Sequence, residues 1–283
     1  MFDTFKNRLE ITGTLTTVTA LRISKGRSTE PIGSDLPVIK DALGRPLIPG
    51  SSFKGALRSR LESFLRGIDP NLAEDPANYT SPTKNKQVKD FKDEHKNNDF
   101  ELTQQLLDIT DDIGSLFGTP WIASKFQVRD LTVQPDAWFG QYQERDGVAI
   151  DRDTETAADG KLYDYQVVPA ATPFDFKAVV ENAEDWELGL LMIGLHQFET
   201  EQIPLGGGRS RGLGVVKLEI DKMRWIDVED HPEFLLEYLK KLVMGDETAY
   251  EDAADYKDEW VQKLIDRLTR KETKLSETQT QAQ

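Results

Sequence analysis

The 283-residue chain has no cysteine, which excludes disulfides and thiolate zinc sites and fits a cytosolic protein. It has three histidines, His95, His196 and His231, too few and too scattered for a histidine-built metal centre. No H-E-x-x-H or G-x-S-x-G motif occurs, so with no thiol nucleophile the common hydrolytic templates find no footing. No apolar run reaches about 18 residues, and no membrane span is expected. The opening MFDTFKNRLEITG carries acidic residues and lacks an apolar h-region, so no signal peptide is expected either. Positive charge is scarce: 35 Lys and Arg face 50 Asp and Glu, a formal charge of −15. Taken whole, that balance argues against nucleic acid, whose phosphates ask for a basic face.

The distribution reverses this impression. Residues 1–66 hold 11 basic residues against 6 acidic ones, while 67–112 hold 5 against 11, 113–220 hold 9 against 17 and 221–283 hold 10 against 16. Positive charge sits in the first quarter, and a local basic surface can hold a polyanion while the remainder keeps the particle soluble.

Strand-like alternation marks 9–17, with Leu9, Ile11 and Leu15 on one face, and a short strand is expected at PVIK, 37–40. Between them lies a loop, 20–36, rich in Gly, Ser and basic residues. Phe53, Leu57, Leu61 and Phe64 recur at helical spacing through 51–67; Ser51 or Ser52 is the expected N-cap and Gly67 the expected stop. Residues 68–110 read as an insertion, and its highly charged part, TSPTKNKQVKDFKDEHKNND, is expected to be mobile. Order resumes at DIGSLFG. In 125–134 the alternation slips at Arg129–Asp130, which predicts a bulge. Residues 143–170 read as a hairpin-like excursion with turn signals at Asp146–Gly147 and Asp159–Gly160. A strand at 173–181, a buried helix at 185–199, a glycine loop at 206–214 and a strand VVKLEI follow, then acidic helices from about 228. The order suits a ferredoxin-like α+β core with antiparallel pairing. There is no strong internal repeat.

Three segments carry chemistry. In IPGSSFKGALRSR, a helix start offers N–H groups and a favourable dipole to an anion; Ser51 and Ser52 add hydroxyls, and Lys54 and Arg58 lie one turn apart. Ordinary capping explains the same residues. In GGGRSRGLG, glycines permit close approach of another chain beside Arg209 and Arg211. It is neither a Walker A loop nor a Rossmann fingerprint, since it leads into a strand, and a tight turn is the plainer reading. Asp35, in a flexible loop near basic residues, could bind a divalent metal or position a nucleophile, although most such aspartates are solvated or cap a turn. His196 lies on an apolar helix, where a structural role is simpler.

These segments, in this order, resemble the RAMP superfamily of type III CRISPR systems, and most closely its multicopy backbone subunits. The resemblance is carried by ITGTLTTVTALRI, by GSDLPVIKDALGRPLIPGSSFKGALRSRLE, by IGSLFG with FQVRDL, by GGGRSRGLGVV, and by RDGVAIDRDTETAADGKLYDYQVVPAATPFDF, which looks like the family's β-thumb. It covers roughly 9–66 and 112–220. Residues 68–110 and the C-terminal helices depart from it, and the zinc site of some members is missing with the cysteines. The resemblance implies an α+β, ferredoxin-like (modified RNA-recognition-motif) core over 1–227, with the insertion at about 68–110, a thumb at about 143–170, and a helical extension over 228–283. It implies guide-RNA contacts from Arg22, Lys25, Arg27, Ser51, Ser52, Lys54, Arg58, Gly207, Gly208, Arg209, Ser210 and Arg211. It puts Val148, Ala149, Ile150, Asp151 and Arg152 at the thumb, which would wedge into the guide–target duplex. It makes Asp35 the residue that promotes cleavage of target RNA with Mg²⁺ or another divalent metal. The implied partners are guide CRISPR RNA, single-stranded target RNA and other effector subunits, including paralogous ones, in the cytoplasm and away from membranes. A non-cleaving structural subunit, a guide-processing endoribonuclease and a protein-interaction module using the acidic C-terminal helices are the competing expectations.

Overall fold

The computed structural model describes residues 4–24, 26, 34–150, 157–229 and 231–281, with backbone alone at 148–150, 157–162, 232 and 272–281. Strand β1 (Asn7–Thr17) buries Leu9, Ile11 and Leu15 completely and turns Thr12, Thr14 and Thr16 to the other side, as its alternation requires. PVIK is not a strand. Val38 and Lys40 make single bridges to Ser24 and Pro46, and Pro37 has no N–H to give to a ladder. Strand β2 (Leu47–Ile48) leads into α1 (Gly50–Ile68), whose core stripe is Phe53, Leu57, Leu61 and Leu65; Phe64 of the expected stripe is exposed. The helix passes Gly67 and ends at Asp69, in extended backbone.

The charged insertion is helical. Helix α2 (Pro82–Glu94) is capped by Ser81 and α3 (Asp99–Asp108) by Asn98. Val88 and Leu106, with Phe91, Leu102 and Leu107, meet Ile122 and Trp121 in a small satellite core. Few apolar residues suffice because they recur at helical spacing. Helix α4 (Asp112–Phe117) returns the chain to the main body.

The expected bulge at Arg129–Asp130 is a break between two strands. Strand β3 (Phe126–Val128) and β4 (Leu131–Thr132) belong to different sheets, β4 pairing with β2. Strands β5 (Gln143–Ile150) and β6 (Ala157–Val167) form a separate antiparallel hairpin. Neither Asp-Gly pair makes a turn, since both lie inside strands. Gly147 is there for Tyr163, its cross-strand partner: a Cβ at 147 would stand 2.3 Å from the tyrosine ring.

Strand β7 (Pro173–Glu181), α5 (Asp185–Glu199) and β8 (Val216–Asp227) follow. Helix α6 (Pro232–Met244), β9 (Glu251–Asp252) and α7 (Lys257–Gln281) complete the chain. The main sheet is antiparallel in the order β3-β7-β1-β8-β9. The sequence β1-α1-β3-β7-α5-β8 within it is a ferredoxin-like core. Helices α1 and α5 cover one face, where Phe53 stacks on Phe198 at 4.3 Å and meets Phe176 at 5.0 Å. Each such ring contributes roughly 1.5–3 kcal/mol by leaving water. Helix α7 lies against α5 and adds Trp260 and Leu264 to the same core. On the opposite face, Thr12, Thr14, Thr16, Asp175, Lys177, Lys217 and Glu219 line one end of the three central strands, with no aromatic residue among them, while at the other end Tyr250 covers Glu10 and Arg224. Among the described residues, no helix is long and apolar enough to cross a membrane.

Candidate nucleic-acid interface

The glycine loop 206–214 is a 3-10 turn, Arg209–Arg211, held between the left-handed glycines Gly208 and Gly212. It closes onto the segment after β1: Gly207 N–H donates to the Arg22 carbonyl at 2.8 Å and Gly214 N–H to that of Ala20 at 2.9 Å. A side chain at Gly206 would put its Cβ 2.1 Å from the Arg22 carbonyl oxygen, so the approach requires glycine. The turn leaves Gly207, Arg209, Ser210 and Arg211 exposed.

On one side of the loop a groove of about 530 Å³ runs between it and α1. Ser51, Ser52, Gly55 and Ser59 form the helix wall; Gln202, Gly206 and Arg209 form the opposite wall. Arg60 enters it too, its guanidinium 4.8 Å from the Phe64 ring and only loosely bonded to Gln197 and Gln202 at 3.4 and 3.5 Å. The lining holds two arginines, serine hydroxyls and, among the described residues, no acidic group. Such a groove suits a phosphate chain.

Ser51, Ser52 and Arg209 thus meet, whereas Lys54 and Arg58 turn the other way. Lys54 Nζ donates to Ser124 Oγ at 2.6 Å and to the Phe126 carbonyl at 3.2 Å. Burial, with Arg58 alongside, pushes its amine down to about 8. Arg58 bonds Glu62, the Gly118 carbonyl and Tyr79. The helix start is also less open than its sequence suggests. Its N-cap is Pro49, with no side-chain cap from Ser51 or Ser52. Asp130 accepts the Gly50 N–H at 2.8 Å, and the Pro49 carbonyl accepts those of Ser52 and Phe53. A carboxylate of the protein itself occupies the place expected for an outside anion. Arg60, Gly55 and Ser59 were missed by the motif reading. The four-residue recurrence Ser51, Gly55, Ser59, Ser63 of small residues was the available signal.

On the loop's other side lies the hairpin. Arg211 donates to the Tyr163 hydroxyl at 3.1 Å, and the Arg22 guanidinium lies 4.7 Å from the Tyr165 ring. Ala20, Tyr165, Val167 and Leu213, with Leu36 and Tyr163, form a small apolar cluster that joins loop, hairpin and the Asp35 segment. Asp35 is half-buried; its N–H donates to Asp164 Oδ1 at 2.9 Å. Its carboxylate has no hydrogen bond or ion pair with another described residue. Asp41, by contrast, accepts the N–H groups of Leu43 and Arg45 and the Arg45 side chain, and is lowered by those bonds, the Arg45 N–H first. Val148, Ala149 and Ile150 end β5, with only their backbone described. Lys25, Arg27, Asp151 and Arg152 lie outside the described residues.

No group of three or more acidic or histidine side chains converges to hold a metal among the described residues. Asp35 alone, a carboxylate left unengaged by its described neighbours, fits a Mg²⁺ ion that takes its other ligands from phosphate and water.

The CRISPR system Cms endoribonuclease Csm3 of Enterococcus italicus is 26% identical over 219 residues, 77% of this chain and 92% of that protein. The protein of the same name from Methanocaldococcus jannaschii is 29% identical over 233 residues, covering 78% and 82%. That from Mycobacterium tuberculosis is 50% identical over 56 residues, covering 19% and 24%. The family model of the RAMP superfamily matches residues 14–217, most of the chain, from within β1 to the start of β8. The chain belongs to the RAMP superfamily.

Proposed function

We propose that this chain is a guide-RNA-binding backbone subunit of a type III CRISPR ribonucleoprotein and cuts the target RNA paired to the guide. The observation that carries the reading is a set of contacts around the glycine loop: an acid-free groove with Arg60 and Arg209 on one side, and on the other Arg211 bonded to Tyr163, Arg22 against the Tyr165 ring, and Asp35, whose N–H is bonded to Asp164 of the hairpin and whose carboxylate is unengaged by its described neighbours. The relatives that cover most of the chain are named endoribonucleases.

In this reading the groove and glycine loop hold the guide backbone, and base pairing supplies sequence recognition. The hairpin wedges into the duplex and turns out one nucleotide of the target. That nucleotide's 2′-oxygen then lies in line with the adjacent phosphorus. The 2′-O–P bond forms, the P–O5′ bond breaks, and the products are a 2′,3′-cyclic phosphate and a 5′-hydroxyl. Asp35 orients the 2′-hydroxyl and accepts its proton; solvent protonates the leaving 5′-oxygen. A divalent ion, when bound at Asp35, supplies charge stabilisation at the phosphate. The partners are guide RNA, target RNA and the other subunits of the complex, in the cytoplasm. A guide-processing nuclease built on histidine is disfavoured, because His196 and His231 are exposed beside Glu199 and Glu233 and His95 belongs to the α2–α3 insertion.

The test is a time course on labelled target RNA with reconstituted complex and Mg²⁺. Asp35→Ala should slow cleavage at the sites this subunit governs by about 10²–10⁴-fold, with target binding unchanged, whereas Asp41→Ala should still cut. Wild-type cutting by Asp35→Ala would make the chain a non-cleaving backbone subunit.

A further inference from the structure

The Asp35 segment is fastened to the hairpin by one isolated bridge and two hydrogen bonds. Leu36 pairs with Tyr165 in a parallel bridge, and Gln166 N–H donates to the Leu36 carbonyl at 3.1 Å. One residue earlier, the acceptor is a side chain: Asp164 Oδ1 takes the Asp35 N–H. On either side Asp35 is anchored, by Ser34, which is 4% exposed, and by Leu36 in the apolar cluster. Main chain and flanks are fixed, and only the carboxylate is left unengaged by its described neighbours.

Asp164 is costly where it stands. Its cross-strand partner is Asp146, and like charges directly opposed on a hairpin repel. A hairpin selected for stability alone would carry a neutral or basic residue at one of the two positions. Among the described residues, the bond from the Asp35 N–H is the one contact that the side-chain oxygen at 164 makes, and it is an acceptor role.

We propose that Asp164 is a positioning residue: it pins the main chain of Asp35 to β6, so that the hairpin which displaces the target nucleotide also sets where the cleaving carboxylate stands. Displacement and chemistry then share one rigid reference, and a hairpin that has not seated in the duplex leaves Asp35 off target. The proposal rests on the reading of Asp35 as the cleaving residue. It predicts a separation of roles within one side chain. The accepting oxygen matters and the negative charge does not.

The experiment compares Asp164→Ala, Asp164→Asn and Asp35→Ala in the reconstituted complex. Single-turnover cleavage and target affinity are measured, together with hydrogen exchange of the 34–36 amides and thermal melting of the free chain. Asp164→Ala should slow cleavage by between about tenfold and about 100-fold, the scale of a 1 Å misplacement, with target affinity unchanged and amide exchange at Asp35 faster. Asp164→Asn, whose amide oxygen accepts the same N–H, should restore both. Asp164→Asn should not melt lower than wild type, because it keeps the accepting oxygen and relieves the Asp146 repulsion. Equal losses in both variants would mean that the charge itself takes part, as a second metal ligand or base, and would overturn the positioning role. Wild-type cleavage by Asp164→Ala, with Asp35→Ala inactive, would overturn it and leave the cleaving reading intact. Full cleavage by Asp35→Ala would remove both, even if the exchange data still reported the tether.

Discussion

Helix α1 carries two sets of cations, and the structure gives them opposite work. Arg60 faces the groove with Arg209 across from it, while Lys54 and Arg58 point at protein carbonyls, hydroxyls and Glu62. Removing one cation from a phosphate should lower the log–log salt slope of single-strand binding by about 0.7, so Arg60→Ala with Arg209→Ala should lower it by about 1.4. Raising salt from about 50 to about 200 mM would then weaken the variant about sevenfold less than wild type. Removing the charges of Lys54 and Arg58 should leave that slope alone. Their signature is stability: Arg58→Ala removes a guanidinium bonded to the buried Glu62 and should cost about 2 kcal/mol or more. Fluorescence anisotropy on a labelled unstructured RNA over a salt series, beside urea melts of the same proteins, separates the two effects. An unchanged slope in the Arg60/Arg209 variant would refute the groove as the phosphate track. A flattened slope in the Lys54/Arg58 variant would show that the inward pair reaches RNA after all.

The remaining predictions concern the frame. Glu187 is fully buried, with Lys125 Nζ 2.5 Å from Oε2, the Glu184 N–H at 2.8 Å and the Ser115 hydroxyl on the other oxygen. Lys125→Met strands that charge and should cost about 3–5 kcal/mol, a melting drop of roughly 10 °C; adding Glu187→Met should recover part of the loss, and a double variant less stable than the single one would contradict this. Lys54 titrates near 8 in the folded chain against 10.5 unfolded, chiefly through burial, so between those values the unfolded state binds the extra proton and stability rises with pH. The cost of its charge is fully present below about pH 8. Lys54→Met should show a flatter profile than wild type in chemical melts at pH 7.5 and 10, and equal profiles would refute the assignment. Asp130→Ala frees the first N–H of α1 and should cost about 1 kcal/mol, read by the same melts.

Much of the fold was legible because one face of each core element is apolar at the right period. Leu9, Ile11 and Leu15 marked β1, and the run DWELGLLMIGLHQFE is α5 to the residue. The direction of Lys54 and Arg58 was not legible. Spacing puts them together on a flank of α1, but which flank meets protein depends on Gly118, Ser124 and Phe126, some 60 to 72 residues further along the chain. The helices of the insertion were hidden by charge, since their apolar residues are few and fill only a small core. The two Asp-Gly pairs misled for a local reason. Asp-Gly signals a turn only when nothing needs the room, and at Gly147 the room is filled by the Tyr163 ring. Asp35 stood out by resemblance, and Asp164 by nothing in the sequence, since a lone aspartate on a strand carries no pattern.

The face of the main sheet away from α1 and α5 has one more consequence. RNA-recognition folds that discriminate sequence present aromatic rings from that face and stack bases on them. Here the same positions hold threonines and charges of both signs. A threonine has no π-face, and mixed charge gives a polyanion no net attraction. The platform from which such folds inspect letters is absent from these positions, and in the function proposed above the grip falls to the glycine loop and helix, which meet only what every nucleotide shares. A protein built this way is blind to text. As the guide-binding subunit proposed above, it would take a guide of any sequence, and new specificities would need no change in a single one of its residues.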